Sequence, residues 1–226
     1  MSMKRNDVTR IDLGFVSAYL LGAERGFVLV DTGMKSQRER LAAALAKAGC
    51  GSGDLVLVIV SHADYDHAGN CEWLRESFGA PIAIHSADAP TLISGESPQR
   101  VMSGRFGKIL TRILSKRRGG GPSCKPDILL EDGQDLAPWG LSAKVLHLPG
   151  HTPGAIGLLV EGGNFVAGDV FANWRRPAAS PFVHDRAAYR ASIERARKLI
   201  PIDTKIWPGH GGPFPASALE DIALGD

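Results

Sequence analysis

Two imidazoles and two carboxylates, His62, Asp64, Asp66 and His67, fall within the stretch Ser61-His62-Ala63-Asp64-Tyr65-Asp66-His67-Ala68-Gly69-Asn70. Neutral imidazole nitrogens and carboxylate oxygens are the donors that close around a divalent metal ion. The stretch follows Leu55 to Val60 (LVLVIV), a continuous β-branched run bounded by Gly-Ser-Gly-Asp, which reads as a strand buried on both faces. Donors at the end of such a strand lie where α/β proteins usually place their chemistry. In an extended loop alternate residues point the same way, so His62, Asp64 and Asp66 can converge. Taken alone, the segment could also be a solvated polar loop.

Three downstream signals extend the pattern. His151 lies in Leu148-Pro149-Gly150-His151-Thr152-Pro153-Gly154, Asp169 follows the strand-like Asn164 to Ala167, and His210 lies in Trp207-Pro208-Gly209-His210-Gly211-Gly212. Each follows an apolar run and has Gly or Pro beside it, as expected if several strands end at one convergent site. On these motifs, and on the Asp31-Thr32-Gly33 turn after Phe27 to Val30, the sequence resembles the metallo-β-lactamase fold superfamily from about Phe15 to His210. That family's pattern is HxHxDH, then GHT, GD and a late GH.

The resemblance implies two metal ions. The first would take His62, Asp64 and His151, the second Asp66, His67 and His210, and Asp169 would bridge them. Asp64 stands where the pattern has its second His. With a carboxylate there, the three carboxylates and a bridging hydroxide balance the charge of two divalent ions, whereas the His version would keep one positive charge. Zinc is the expected metal, and two His with a carboxylate also suit iron or manganese. The diiron flavoproteins of the superfamily likewise carry a carboxylate at this position, in the form of Glu. The resemblance further implies a hydrolase in which a metal-bridging hydroxide attacks the substrate, so no Ser or Cys nucleophile is required. Asp66 would be a ligand, and could also orient or deprotonate the attacking water.

The elements needed to position these groups can be read from periodicity. Phe15 to Leu21 and Phe27 to Val30 read as a hairpin, and Gln37 to Ala48 as a helix with Leu41, Ala44, Leu45 and Ala48 on one face. Leu55 to Val60, a helix from about Ala68 to Phe78 and the strand Pro81 to Ile84 complete a first half. The second half has strands near Ile128 to Leu130, Leu141 to His147, Ala155 to Val160 and Asn164 to Ala167. A helix from about Arg186 to Leu199 and a last strand, Lys205 to Trp207, follow. Strand runs flanked by helices fit the α/β class, and the resemblance implies a four-layer αββα sandwich. We expect one domain over residues 1–226 with an inserted segment at about 94–126, where Arg105 to Arg118 is a basic amphipathic helix pattern. That helix is read either as a surface helix, as a flap over the site, or as a nucleic-acid or membrane contact.

Composition sets further bounds. At 226 residues and 44% hydrophobic the chain has ample material for one core, and its net charge of +2 points to neither a nucleic acid nor a membrane partner. No apolar run approaches the roughly 20 residues of a membrane span and no signal-peptide pattern is present, so we expect a soluble, cytoplasmic protein. Cys50, Cys71 and Cys124 are odd in number and lack metal-type spacing, which argues against a disulfide framework. His147, shortly before Pro149, reads as a hydrogen-bonded support or core residue, and His85 and His184 lie in no motif. Asn173, Trp174 and Arg175, just after Asp169, are candidate substrate contacts, with ordinary loop packing as the alternative for Trp174. The expected substrate is a small ester, thioester, lactone or amide. A phosphodiesterase or nuclease of the same fold, a non-catalytic ligand-binding or regulatory protein, and diiron redox chemistry remain as other readings.

Overall fold

The computed structural model describes residues 3–96, 101–102 and 123–223. The expected basic helix at Arg105 to Arg118 lies outside the described residues. Two six-stranded sheets dominate the fold. The first contains β1 (Val8–Asp12), β2 (Ser17–Gly22), β3 (Phe27–Val30), β4 (Leu55–Val60), β5 (Ile82–His85) and, after the two-residue β6 (Val101–Met102), β7 (Ile128–Leu130), in the order β1-β2-β3-β4-β5-β7. The second is built from β8 (Ala143–His147), β9 (Ile156–Val160), β10 (Asn164–Asn173), β11 (Ala178–Ala179), β13 (Lys205–Gly211) and β14 (Phe214–Pro215). Its order is β14-β13-β10-β9-β8, with β11 paired to β10, while β12 (Phe182–Val183) pairs with β6.

Three apolar layers follow from the two-residue period of the strands. Within β4, Leu57 and Ile59 face the second sheet and pack, with Tyr19 and Val28 of the first sheet, against Val145 and Val166 of the second, whereas Val58 and Val60 face outward. The outward face is covered by α1 (Arg38–Lys47), whose Leu41 and Leu45 are fully buried, and by α3 (Cys71–Phe78) through Leu74. Burying each such Leu contributes roughly 1.5–3 kcal/mol. The outer face of the second sheet is covered by α5 (Arg186–Leu199), with Tyr189, Ile193 and Ala196 in the core at helical spacing. Its first turn is capped by Asp185, whose carboxylate accepts the N–H of Ala187 (2.9 Å) and of Ala188 (3.1 Å). These layers are the expected αββα sandwich. All three cysteines are free and buried.

Several boundaries differ from the sequence expectation. β10 and β13 do not stop before their Gly and Pro residues. They pair in parallel from Asn164↔Lys205 to Asn173↔Gly211, with register shifts on either side of Gly168, so Asp169 and His210 lie inside strands. Pro208 is tolerated because β14 pairs with β13 only at Lys205 and Ile206. The helix expected from Ala68 begins only at Cys71, as α3, and a separate short turn, α2 (Tyr65–Ala68), precedes it, because the Asn70 amide between them donates to the carbonyls of Thr32 (2.8 Å) and Met34 (2.9 Å). Ile128 to Leu130, expected in the second half, joins the first sheet in parallel with β5. β1 was not anticipated at all. Between β5 and the insert lies one further helix, α4 (Ala89–Ser94). Among the described residues no helix is long and apolar enough to cross a membrane.

Candidate metal centre

All seven donor residues expected from the sequence are buried and gather at one edge of the sandwich. His62, Asp64, Asp66 and His67 come from the loop after β4 and from α2, His151 from the loop after β8, Asp169 from β10 and His210 from β13. They fall into groups whose donor atoms lie within 4.8 Å of one another: His62, Asp64 and His151 in one, Asp66, His67 and His210 in a second, and His62, His67 and Asp169 in a third between them.

In the first group Asp64 Oδ2 is 3.3 Å from His62 Nε2 and 3.5 Å from His151 Nε2, and the two Nε2 atoms are 3.2 Å apart. In the second, Asp66 Oδ2 is 3.6 Å from His210 Nε2. Asp169 reaches both, with Oδ1 at 3.3 Å from His67 Nε2, and Oδ2 at 3.5 Å from His151 Nε2 and 3.2 Å from His210 Nε2. Donors about 2.0–2.2 Å from a shared tetrahedral ion stand roughly 3.3–3.6 Å apart, which is the spacing seen here.

Each imidazole is held from behind through Nδ1. His67 meets Asp31 Oδ2 at 2.8 Å, His151 the Phe182 carbonyl at 2.6 Å, and His210 the Phe15 carbonyl at 2.7 Å. These oxygens only accept, so the proton sits on Nδ1. His62 Nδ1 is 3.0 Å from Ser61 Oγ, which already donates its single proton to Asp31 Oδ2 (2.8 Å) and therefore accepts from the ring. All four Nε2 lone pairs thus face inward among three carboxylates. His67 Nε2 and Asp169 Oδ1 are buried without a hydrogen-bond partner. A set of inward lone pairs and carboxylates with outward-held protons fits metal cations. Gly209 allows the closure, since a Cβ there would lie 2.3 Å from Asp169 Oδ1 and 2.7 Å from His67 Cε1.

Electrostatics of the protein alone agree with that fit. Burial pushes the His67 imidazole down, but the carboxylates of Asp169, Asp31 and Asp66 outweigh it and hold its pKa well above the usual value. His210 is likewise raised, burial being overcome by Asp169. Burial would raise Asp169, yet the His67 and His210 charges hold it well below the usual carboxylate range. The cluster therefore attracts positive charge, as protons or as metal ions.

Sequence reasoning saw the Asp31 turn but not its role. Asp31 is fully buried with φ at +63°, and it accepts Ser61 N (2.7 Å), Ser61 Oγ and His67 Nδ1, so one carboxylate orients two imidazoles. Phe15 was missed as well. Besides its carbonyl contact, its half-exposed ring lies 4.6 Å from the His210 ring and 6.5 Å from Trp174. Its only sequence signal was an aromatic next to a turn.

The candidate substrate residues separate. Asn173 donates its amide to the Gly212 carbonyl (2.9 Å), Trp174 is half exposed at 5.5 Å from the His210 ring, and Arg175 is exposed beside it. His147 is outside the cluster, as expected, and donates Nε2 to the Pro153 carbonyl (2.9 Å). His85 stacks on it at 3.8 Å.

Comparison with known proteins identifies the family. Residues 11–210 match the metallo-beta-lactamase superfamily. The chain is 26% identical to a protein named acyl-coenzyme A thioesterase MBLAC2 from Gallus gallus, over 89% of this chain and 74% of that one. It is also 26% identical to the probable polyketide biosynthesis zinc-dependent hydrolase BaeB of Bacillus velezensis, over 75% of this chain and 63% of that one. Among solved structures, TTHA1623 in a di-iron-bound form superposes with a TM-score of 0.64 at 28% identity, covering 91% of this chain and 92% of that one. The chain belongs to the metallo-beta-lactamase superfamily and is an enzyme of its metal-dependent hydrolase kind.

Proposed function

We propose that the chain is a binuclear hydrolase acting on a small-molecule ester, thioester, lactone or amide. The carrying observation is that seven buried donors form two three-residue groups with Asp169 within 3.5 Å of members of both. His62, Asp64 and His151 would hold one ion, Asp66, His67 and His210 the other, and Asp169 would bridge. When bound, the ions supply water activation near neutral pH and Lewis-acid stabilisation of developing negative charge.

The chain's own residues do the rest. Asp31, Ser61 and the carbonyls of Phe15 and Phe182 fix the imidazole tautomers, so each neutral ring turns its Nε2 lone pair inward, and a bound ion would displace the proton that the carboxylates otherwise draw to His67 and His210. Asp66, a carboxylate of the second group, would orient the attacking water and take its proton. Phe15 and Trp174 form an aromatic wall beside His210, suited to the apolar part of a substrate, with Arg175 on the rim for an anionic part. Among the four bond classes we favour the thioester, on the wall and on the name of the thioesterase relative. Zinc is the metal we assign, in line with the zinc-dependent relative, although Asp64 supplies the harder donor that iron also accepts.

Metal analysis of protein purified without added metal, paired with a hydrolysis screen over esters, thioesters, lactones, amides and phosphodiesters, tests this reading. Two ions per chain and thioester turnover are expected. A metal-loaded protein inert on every class would refute it, and turnover confined to phosphodiesters would move it to the nuclease branch.

A further inference from the structure

Asp88 has no place in the chemistry above, yet its carboxylate joins two of the three segments that carry the first donor group and its bridge. It is 1% exposed. Its Oδ2 accepts the N–H of Ala63 (3.0 Å), the residue between His62 and Asp64, and its Oδ1 accepts the N–H of Gly154 (2.6 Å), three residues after His151. The two loops leave different sheets, one after β4 and the other after β8. Their mutual position decides whether His62 and Asp64 meet His151 at donor spacing.

Asp88 is itself held in place. It ends the one-turn 3-10 helix Ser86–Asp88, whose Ala87 N–H is accepted by His85 Nδ1 (3.2 Å). The His85 ring stacks on His147 at 3.8 Å with planes 14° apart, and His147 grips the Pro153 carbonyl beside Gly154. Gly154 fits tightly, since a Cβ there would lie 2.6 Å from Asp88 N and 2.8 Å from Asp88 Cγ. The second group has no such tie to Asp88. Asp66 and His67 share one short helix, and His210 is anchored to Phe15.

We propose that Asp88 is a positioning residue for the first metal group, setting the separation of the His62–Asp64 and His151 loops so that this group, and not the second, depends on it. The inference rests on the two-ion reading. Hydrogen bonds from backbone N–H to an ionised carboxylate are short and strong, and residues one step behind metal ligands typically change affinity 10- to 100-fold when replaced. Asp88→Asn keeps the shape but turns a donor toward one of the two N–H groups. Gly154→Ala keeps the carboxylate and forces the loops apart sterically.

The test is titration of metal-stripped protein with Co(II), read by the ligand-field absorption of each site and by calorimetry. Wild type should bind two ions. Both variants should bind the first ion roughly 10- to 100-fold more weakly and the second within about threefold of wild type. If Asp88→Asn does not fold, Gly154→Ala decides alone. Wild-type affinity at both sites, or equal weakening of both, overturns the role of Asp88 while leaving the two-ion reading intact. A wild type that binds no metal overturns both.

Discussion

Replacing Asp31 with Asn tests how the imidazoles are oriented. The substitution keeps size and tolerates the left-handed backbone at φ +63°, which Asn adopts far more readily than Ala. One carbonyl oxygen can still accept the Ser61 N–H. The amide nitrogen then replaces Oδ2, which accepts both Ser61 Oγ and His67 Nδ1. Two hydrogen bonds to a buried charge are lost, at about 1.5–3 kcal/mol each. The new N–H₂ also donates toward His67 Nδ1, so the ring places its proton on Nε2, facing the second donor group. We expect about 3 kcal/mol or more off the stability of the metal-free protein. Affinity for the second ion should fall about 10- to 100-fold, with a smaller loss at the first ion transmitted through Ser61 and His62. Chelator-competition titrations and thermal melts of the stripped protein measure both. Unchanged affinity at the second site with unchanged melting would refute the tautomer argument.

Four other outcomes follow from the geometry. His151→Ala should remove the first ion and His210→Ala the second, with turnover falling by orders of magnitude; full metal content and activity in both would contradict the grouping. Asp64→His should retain two ions with a stronger preference for zinc, whereas Asp64→Ala should bind the first ion weakly; if both keep wild-type affinity, Asp64 is not a ligand. In metal-free protein the raised His67 and His210 contribute stability that is complete below their unfolded value near 6.5 and lost as pH rises through their folded values. The depressed Asp169 contributes stability present above about 3.8 and lost on acidification, so melting temperature should peak between these limits, and a flat profile from pH 4 to 9 would count against the coupling. Trp174→Ala should raise KM for long-chain acyl substrates with little change for acetyl ones, and equal effects on both would remove the aromatic wall from substrate binding.

The donor set was legible in the sequence because its signals are local. A continuous β-branched run such as Leu55 to Val60 reads as a buried strand, and His or Asp beside Gly or Pro after several such runs points to one convergent site. The same local periodicity marked α1, α5 and the α/β class, while the sandwich was what the family resemblance implied. What depends on which strands meet was not legible. Gly and Pro near Asp169 and His210 read as strand ends, and only the parallel pairing of β10 with β13 carries the strands through them. Ile128 to Leu130 gave no hint of its partner, because a short apolar run fits either sheet until β5 is beside it. The supporting residues were hidden for the same reason. Asp88 lies in none of the sequence motifs that mark the donors. Its bond to Gly154 spans 66 positions, and the Phe15 carbonyl reaches His210 across 195. The types of the donor residues follow from chain-local chemistry, but the tautomers they hold and the loops they lock are set by contacts between distant segments, which only the packed sandwich brings within hydrogen-bond range.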